Sequence, residues 1–299
     1  MKIAPDLAAT VLAVVDEGSF ESAARRLHVT PSAVSQRIRA LEDALGAVLL
    51  VRAKPPRPTE AGATIVRLAR QQALLEQEAL TELGVEDRLG RVRLSVAANA
   101  DSLATWFLDP LARLAERLPV VFEVHRDDQD FTARLLSDGT AVAAVTAQSA
   151  SVAGCSVSAL GAMVYEAYAT PAFVRRWFPS GATVEALADA PVVDFDRRDD
   201  LQTRWIRERG ASAASPPRHF IPASADFATA VRSGIGWGML PDDQARDAVA
   251  AGALLPLGGP GIRVPLYWQQ WNLHSTLLAA VADEVSRAAR AALAPISRR

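Results

Sequence analysis

The first 45 residues place apolar side chains at the three- and four-residue spacings of amphipathic helices. These spacings predict a first helix over 6–17, which Gly18 ends. Ser19 stands where a cap is expected for a second, short helix that runs to Leu27. The sequence therefore begins with two helices separated by a tight connection.

A third helix is predicted after a turn over 28–30. Thr30 is the expected N-cap, and Pro31 occupies the first helical position, where a missing N–H group costs nothing. The apolar stripe that follows consists of Val34, Ile38, Leu41 and Leu45, and Gly46 ends the helix. Two helices joined by a short turn and preceded by another helix predict a helix-turn-helix.

The next segment predicts a wing and a long helix. The run 48–51 is typical of a strand, and three prolines in 52–58 favour an extended, turning wing over a central strand. Residues 63–83 contain neither Gly nor Pro, which predicts a helix of roughly 30 Å. Its interrupted heptads favour pairing with a partner helix, and the alternative is a core helix of one globule.

From residue 91 onward the chain alternates between strand and helix patterns. Strands are predicted over 92–97, 120–125, 141–147, 163–169 and 191–195, and helices over 102–118, 131–137, 202–209 and 227–233. Such alternation predicts a largely parallel sheet covered on both faces, which is an α/β fold. A fresh series of strands and helices after Gly161 indicates two lobes.

Composition and charge narrow the function. The 299 residues are 50% hydrophobic and 22% charged, so a disordered chain is excluded, and a net charge of −2 excludes a uniformly basic coat. The segment 20–58 nevertheless carries +4, which predicts a local surface for a polyanion. The chain has no apolar leader or membrane-length apolar run, and Cys155 is its single cysteine; both features predict a cytoplasmic protein with no membrane partner.

The polar face of the third helix is the candidate nucleic-acid surface. Ser32, Ser35, Gln36 and Arg39 lie roughly 100–200° around the helix from Val34, and Gln and Arg can bind adenine and guanine bidentately in a major groove. The N-termini of helices and the basic side chains of the wing would contact DNA phosphates. The predicted DNA-binding residues are Ser22, Thr30, Pro31, Ser32, Ser35, Gln36, Arg37, Arg39, Arg52, Lys54 and Arg57. The alternative is an ordinary solvated helix face.

The segments 20–46 (FESAARRLHVTPSAVSQRIRALEDALG), 49–52 (LLVR) and 58–62 (PTEAG) closely resemble the winged head of LysR-type transcriptional regulators. The resemblance implies that Pro31, Ser32, Ser35 and Gln36 occupy the base-reading positions. It also implies a particular domain organisation and partners. The implied organisation is a winged helix-turn-helix over 1–58, a dimerising linker helix over 59–86 and a two-lobed, periplasmic-binding-protein-like α/β effector domain over 87–299, with lobe 1 at about 91–162 and 267–299 and lobe 2 at about 163–266. The implied partners are double-stranded operator DNA, RNA polymerase and further copies of the chain in a homodimer or homotetramer.

The segments 95–107 (SVAANADSLATWF), 233–241 (SGIGWGMLP) and 266–268 (LYW) resemble the lysine- and arginine-responsive subgroup of that family, the ArgP or LysG regulators. Subgroup members often carry Val-Asn-Ala-Asp where Ala-Asn-Ala-Asp stands at 98–101. The resemblance implies that lysine or arginine is the effector and that it induces the controlled gene, which encodes a basic amino-acid exporter. The alternative is a LysR-type regulator of another pathway with a different effector.

The residues themselves support an amino-acid ligand. The strand over 92–97 ends where a helix is expected to begin, and open α/β sheets bind ligands at such carboxyl ends of strands. Free amides at 102–103 would receive a carboxylate, and acids at strand ends would pair with a cationic side chain. The predicted effector-binding residues are Asn99, Ala100, Asp101, Ser102, Leu103, Asp128, Asp130, Thr146, Asp194 and Asp226. Asp128 and Asp130 are the stronger candidates for the cation, and Asp101 has the alternative of capping its helix.

Catalysis has no support in the sequence. The four histidines are scattered, and no HExxH, CxxC, GxSxG or P-loop pattern occurs, so neither a metal nor another cofactor is expected. A lone thiol at Cys155 is more typical of an inert side chain than of a nucleophile. Trp106, Trp237 and Trp268 are more typical of a core than of a ligand cage. The sequence predicts a regulator and not an enzyme.

Overall fold

The structure is a computed structural model that describes residues 2–51, 53–84, 91–126, 129–212 and 216–296, apart from the side chains of 129–131. The helices are α1 (Pro5–Glu17), α2 (Phe20–Arg26), α3 (Pro31–Leu45), α4 (Glu60–Glu82), α5 (Ala100–Thr105), α6 (Leu108–Arg117), α7 (Gln129–Ser137), α8 (Pro171–Trp177), α9 (Val184–Asp189), α10 (Leu201–Glu208), α11 (Ser224–Arg232), α12 (Asp242–Ala250) and α13 (Thr276–Ala292). The strands are β1 (Leu50–Val51), β2 (Arg57–Pro58), β3 (Val92–Ala98), β4 (Val120–Arg126), β5 (Ala143–Thr146), β6 (Cys155–Ala169), β7 (Val192–Asp194), β8 (Arg218–Phe220), β9 (Gly238–Pro241), β10 (Leu255–Pro256) and β11 (Ile262–Trp271).

The chain divides into two compact units. The first unit comprises Met1–Ala98, Leu111–Ser158 and Trp268–Glu284. The second unit comprises Asn99–Pro110, Ala159–Tyr267 and Val285–Arg299. The first unit therefore holds the N-terminal helices, α4 and one part of the α/β body, and the second unit holds the rest of that body.

The first three helices and their caps confirm the helix-turn-helix prediction. The Ser19 hydroxyl accepts a hydrogen bond from the Ser22 amide at 3.0 Å. The Thr30 hydroxyl accepts one from the Ala33 amide at 3.2 Å. Each of these bonds satisfies a donor that the first helical turn leaves without a backbone partner. Gly18 ends α1 in the left-handed conformation, which glycine adopts without steric cost.

The wing is a two-stranded antiparallel ladder. Leu50 lies opposite Pro58, and Val51 lies opposite Arg57. This short ladder agrees with the prediction of a turning wing, because so many prolines remove the donors that a central strand needs.

The long helix packs in part against its own head. Ile65, Val66 and Ala69 belong to the same buried cluster as Val11 of α1. The approach to the wing is close: a β-carbon at Gly62 would lie 1.9 Å from the Leu49 carbonyl oxygen. The first half of α4 is therefore a core helix, as in the alternative interpretation. In the second half Leu75 and Leu83 are exposed, and pairing with a partner helix there stays a prediction.

The sheets of the body are mixed, so the prediction of a largely parallel sheet is only partly right. In the first unit β3 pairs in parallel with both β4 and β5. In the second unit β6 pairs antiparallel with β9 and β10, and β7 pairs in parallel with β8. Strands buried on both faces have the same apolar pattern in either direction, so the sequence pattern did not distinguish the two arrangements.

Two of the predicted elements differ most from the structure. The single helix predicted over 102–118 is two helices, α5 and α6, separated by the buried residues Trp106 and Phe107. Pro110 lies in the first turn of α6, where proline is tolerated, and marks the new start. The strand predicted to begin at Met163 begins at Cys155 in the structure. Its first residues are largely exposed and lack an apolar run, so the sequence pattern did not indicate them.

Candidate DNA-binding face and effector site

The two faces of α3 differ as the sequence predicted. Val34, Ile38 and Leu41 are buried in the head core. The opposite side exposes a polar set that begins in the first turn and consists of Pro31, Ser32, Gln36 and Arg39, with Ser35 and Arg37 half-buried beside it. Because the apolar stripe is fixed inside, this polar face is presented to the surroundings in one orientation.

The cations on this side are available to a polyanion. Within the described part of the chain, the side chains of four basic residues form neither an ion pair nor a hydrogen bond: Arg37, Arg39, Lys54 and Arg57. By contrast, neighbouring cations on α2 are occupied: Arg26 pairs with Asp16 and Glu17, and Arg25 donates to the Ser22 hydroxyl at 2.8 Å. The predicted wing base Arg52 lies outside the described residues.

Asp101 neither caps its helix nor stands free. Its carboxylate accepts hydrogen bonds from the Tyr165 and Ser224 hydroxyls, both at 2.6 Å. The Gln244 side-chain amide donates to the Ser224 oxygen at 2.7 Å. Both carboxylate oxygens of Asp101 thus have partners, and the start of α5 is tied to β6, α11 and α12. Burial and the Asp101 charge raise the pKa of Tyr165 well above its usual range.

The neighbours of Asp101 include two buried acceptors that have no partner. Asn99 Oδ1 and Ser102 Oγ are shielded from solvent and make no hydrogen bond to any described residue. The expectation of a free amide at Leu103 is wrong, because that N–H donates to the Asn99 carbonyl at 3.1 Å. Ala100 lies beside them in the first turn of α5. Buried acceptors without partners indicate a place for a hydrogen-bond donor.

Asp194 ends β7 in a buried position. One of its oxygens pairs with the Arg218 guanidinium at 2.5 Å, and Oδ1 has no partner among the described residues. Nearby, the Gln202 amide donates to the Val193 carbonyl at 3.0 Å and its Oε1 is also unpaired. Burial raises the pKa of Asp194, and the attraction of Arg218 opposes that effect.

Asp199 was missed by sequence reasoning. Its two oxygens accept the amides of Phe195 and Leu201, each at 3.1 Å. Burial raises the pKa of Asp199 to about 6, and the negative charges of Asp194 and Asp101 add to the increase. Asp194 and Asp101 are therefore each within electrostatic reach of Asp199. The available signal was the run DFDRRDD after a strand, of which only the first acids were considered.

The other predicted effector residues are placed elsewhere or lie outside the description. Asp226 is exposed on α11, and Thr146 is buried in the first unit, where its hydroxyl accepts the Gln148 amide at 3.2 Å. Asp128 lies outside the described residues, as does the side chain of Asp130 on α7. Their contact with an effector stays a prediction.

The remaining candidate chemistry is structural. Trp106, Trp237 and Trp268 are buried, as predicted. Burial raises the pKa of the Cys155 thiol, which disfavours the reactive thiolate. Over the described ranges, no group of three or more His, Cys, Asp and Glu side chains is arranged to hold a metal ion. No described helix combines the length and apolar character that a membrane span requires.

Comparison with known proteins assigns both parts of the chain. Residues 6–63 match the model of the bacterial regulatory helix-turn-helix proteins of the lysR family, and residues 87–290 match the LysR substrate-binding domain. The lysine export transcriptional regulatory protein LysG of Corynebacterium efficiens is 42% identical over 95% of this chain and 97% of its own length.

Two solved structures are similar over nearly the whole chain. The crystal structure of ArgP from Mycobacterium tuberculosis has a TM-score of 0.89 and 44% identity, covering 99% of this chain and all of that one. Full-length LysG from Corynebacterium glutamicum with bound effector Arg has a TM-score of 0.80 and 38% identity, covering 98% of this chain and all of that one.

The fold and the polar face of α3 define a winged helix-turn-helix DNA-binding protein with a regulatory α/β body. The chain belongs to the LysR family of bacterial transcriptional regulators. Membership of a regulatory family agrees with the expectation that the protein is not an enzyme.

Proposed function

We propose that this regulator responds to a basic amino acid, arginine or lysine, and that it activates a gene for a basic amino-acid exporter. The observation that carries the proposal is the group of acids in the second unit. Asp194 is buried with one oxygen unpaired, and Asp199 lies within electrostatic reach of both Asp194 and Asp101. Asp194 already has Arg218 as one partner; a cationic effector side chain would supply a partner for its unpaired Oδ1 and offset the negative charge of Asp199, which a neutral side chain would not do.

The names of the similar proteins support the same ligand class. One structure holds arginine as its effector, and one relative is named for lysine export. Asn99, Ser102 and the acids of the second unit are the proposed contacts for this effector, and Asp128, Asp130, Thr146 and Asp226 remain candidates. We place the domain boundaries at 1–58, 59–86 and 87–299, as the sequence predicted.

The proposal extends to the assembly and its partners. Two heads related by a two-fold axis would read two half-sites of a pseudo-palindromic operator, so a homodimer or a tetramer on double-stranded DNA is the expected form. Effector binding would alter the placement of the heads on DNA and their contact with RNA polymerase. The proposed location of the protein is the cytoplasm. The effector acts only as far as it binds one arrangement better than another.

The proposal is tested by a thermal-shift screen of the full chain against the twenty amino acids, with citrulline as the neutral isostere of arginine. Arginine or lysine should raise the unfolding temperature, because a ligand stabilises the state that it binds. Citrulline and glutamine should not. A shift caused only by another metabolite would favour the alternative of a different pathway, and it would contradict the proposed effector.

Arginine affinity is expected to fall as the pH drops through the pKa of Asp199. Without effector, the Asp199 carboxyl has a pKa of about 6. A bound cation favours the charged form of this carboxyl, so protonation of Asp199 and effector binding compete. Affinity should be constant above pH 7 and about fourfold weaker at pH 5.5, where roughly a quarter of the carboxyl is ionised. Calorimetric titration between pH 5.5 and 7.5 measures the profile.

The matched variant for that titration is Asp199→Asn, which should flatten the profile over the same range. A flat wild-type profile, or an unchanged slope in the variant, would show that Asp199 is not coupled to the effector.

A further inference from the structure

Arg70, on the long helix α4, contacts two different parts of the first unit at once. Its guanidinium donates to the Asp16 carboxylate at the end of α1, at 2.5 Å. It also donates to the carbonyl oxygen of Gly139, in the loop after α7. Only a fifth of the Arg70 side chain is exposed, so both contacts are partly shielded from water. One side chain therefore joins the winged head to the regulatory body of the same chain.

The loop that contains Gly139 packs closely against α4 beside Arg70. A β-carbon at Gly139 would lie 2.8 Å from the Arg67 Cα, and Gly139 itself has a φ of +80°. Arg67 donates to the Ala153 carbonyl at 3.1 Å. The loop approaches α4 so closely that only glycine fits at position 139. A movement of the loop would therefore displace the contacting part of α4.

A second attachment lies two turns further along α4. Glu78 accepts hydrogen bonds from the Ser275 hydroxyl at 2.7 Å and from the Leu277 amide at 2.8 Å. The carboxylate thereby caps the first turn of α13 and complements the positive end of its dipole. Both ends of this stretch of α4 are held on the body, and Arg70 adds a direct side-chain bond to Asp16 of the head.

The helix that leads to Gly139 begins near a candidate effector residue. Helix α7 carries Asp130 in its first turn and runs about 13 Å to the Gly139 loop. A shift of this helix on ligand binding would displace the carbonyl that Arg70 holds, and Arg70 would transmit the shift to Asp16.

We propose that Arg70 is a positioning residue that couples the head to the regulatory body, so that the effector changes head placement on DNA through the Asp16–Arg70–Gly139 bridge. The inference rests on the proposed function for its ligand. In the described part of the chain, the Arg70 side chain bonds to Asp16 and Gly139, neither of which belongs to the predicted DNA-binding residues.

The test compares wild type with Arg70→Gln and with the control Arg26→Gln. Arg26 also pairs with Asp16 but has its other partner, Glu17, in the head, so it does not bridge. An operator is obtained by selection from random duplex DNA, and its dissociation constant is measured with and without arginine. Wild type and R26Q should show a change of about fivefold or more. R70Q should show less than a twofold change, although calorimetry gives an arginine affinity within twofold of wild type. A wild-type change in R70Q would overturn the proposal.

Hydrogen exchange without ligand separates this inference from the proposed function. R70Q should increase exchange both in 12–18 and in 135–141, whereas R26Q should affect the first segment alone. If wild type fails to bind arginine or lysine, the proposed effector is wrong. The hydrogen-exchange measurement still tests whether Arg70 links Asp16 and Gly139. No increase over 135–141 in R70Q would refute it.

Discussion

Gln36→Ala is expected to remove most of the operator preference while leaving folding and effector binding intact. Gln36 is exposed on the polar face of α3, and its amide can bind an adenine edge bidentately. Loss of such a pair costs about 1–3 kcal/mol of discrimination, which is roughly 5- to 150-fold in the ratio of operator to random-DNA affinity. Competition binding at fixed salt measures this ratio.

The control is Glu208→Ala, an exposed polar side chain on α10 of the regulatory body, which should keep the wild-type ratio. A contrasting variant, Arg57→Ala on the wing, should weaken binding to all sequences alike and reduce the salt dependence by about one counterion. The interpretation of α3 as the base-reading helix would be wrong if Gln36→Ala gave the same footprint and the same ratio as wild type.

Asp194→Asn is expected to weaken arginine binding by about 30-fold or more. Truncation of a buried charge opposite a cation typically costs about 2 kcal/mol or more, because the other charge is left without a partner. Asp194 is buried with Oδ1 unpaired, so the change removes the charge that the effector would meet. Calorimetric titration with arginine measures the loss.

The same substitution also weakens the pair with Arg218, so folding must be checked by thermal unfolding. Asp196→Asn serves as the control, because Asp196 lies two residues away and engages the Arg198 side chain and the local backbone. It should bind arginine like wild type. Wild-type affinity in a folded Asp194→Asn variant would place the acidic contact elsewhere, with Asp128 and Asp130 the next candidates.

The body shows where sequence reasoning reached its limit. Local pattern predicted the strand over 92–97 and a helix start two residues after the observed start of α5, and it did not predict the surroundings of Asp101. Tyr165 and Ser224, which occupy both of its oxygens, stand 64 and 123 positions away in the chain. Asp199 was overlooked for the same reason, since its raised pKa comes from burial and from acids brought near by folding.

The amino-acid sequence by itself determined the head: the helix periods, the Ser19 and Thr30 caps and the polar face of α3 are properties of neighbouring residues, and local hydrogen bonds express them directly. Only the tertiary structure decided which acids form a group, which strands run antiparallel and which side chain joins head to body. The Arg70 contact with Gly139 spans 69 positions, and no local pattern encodes such a pairing. Long-range contacts arise only when separate elements pack, because their geometry depends on the whole core.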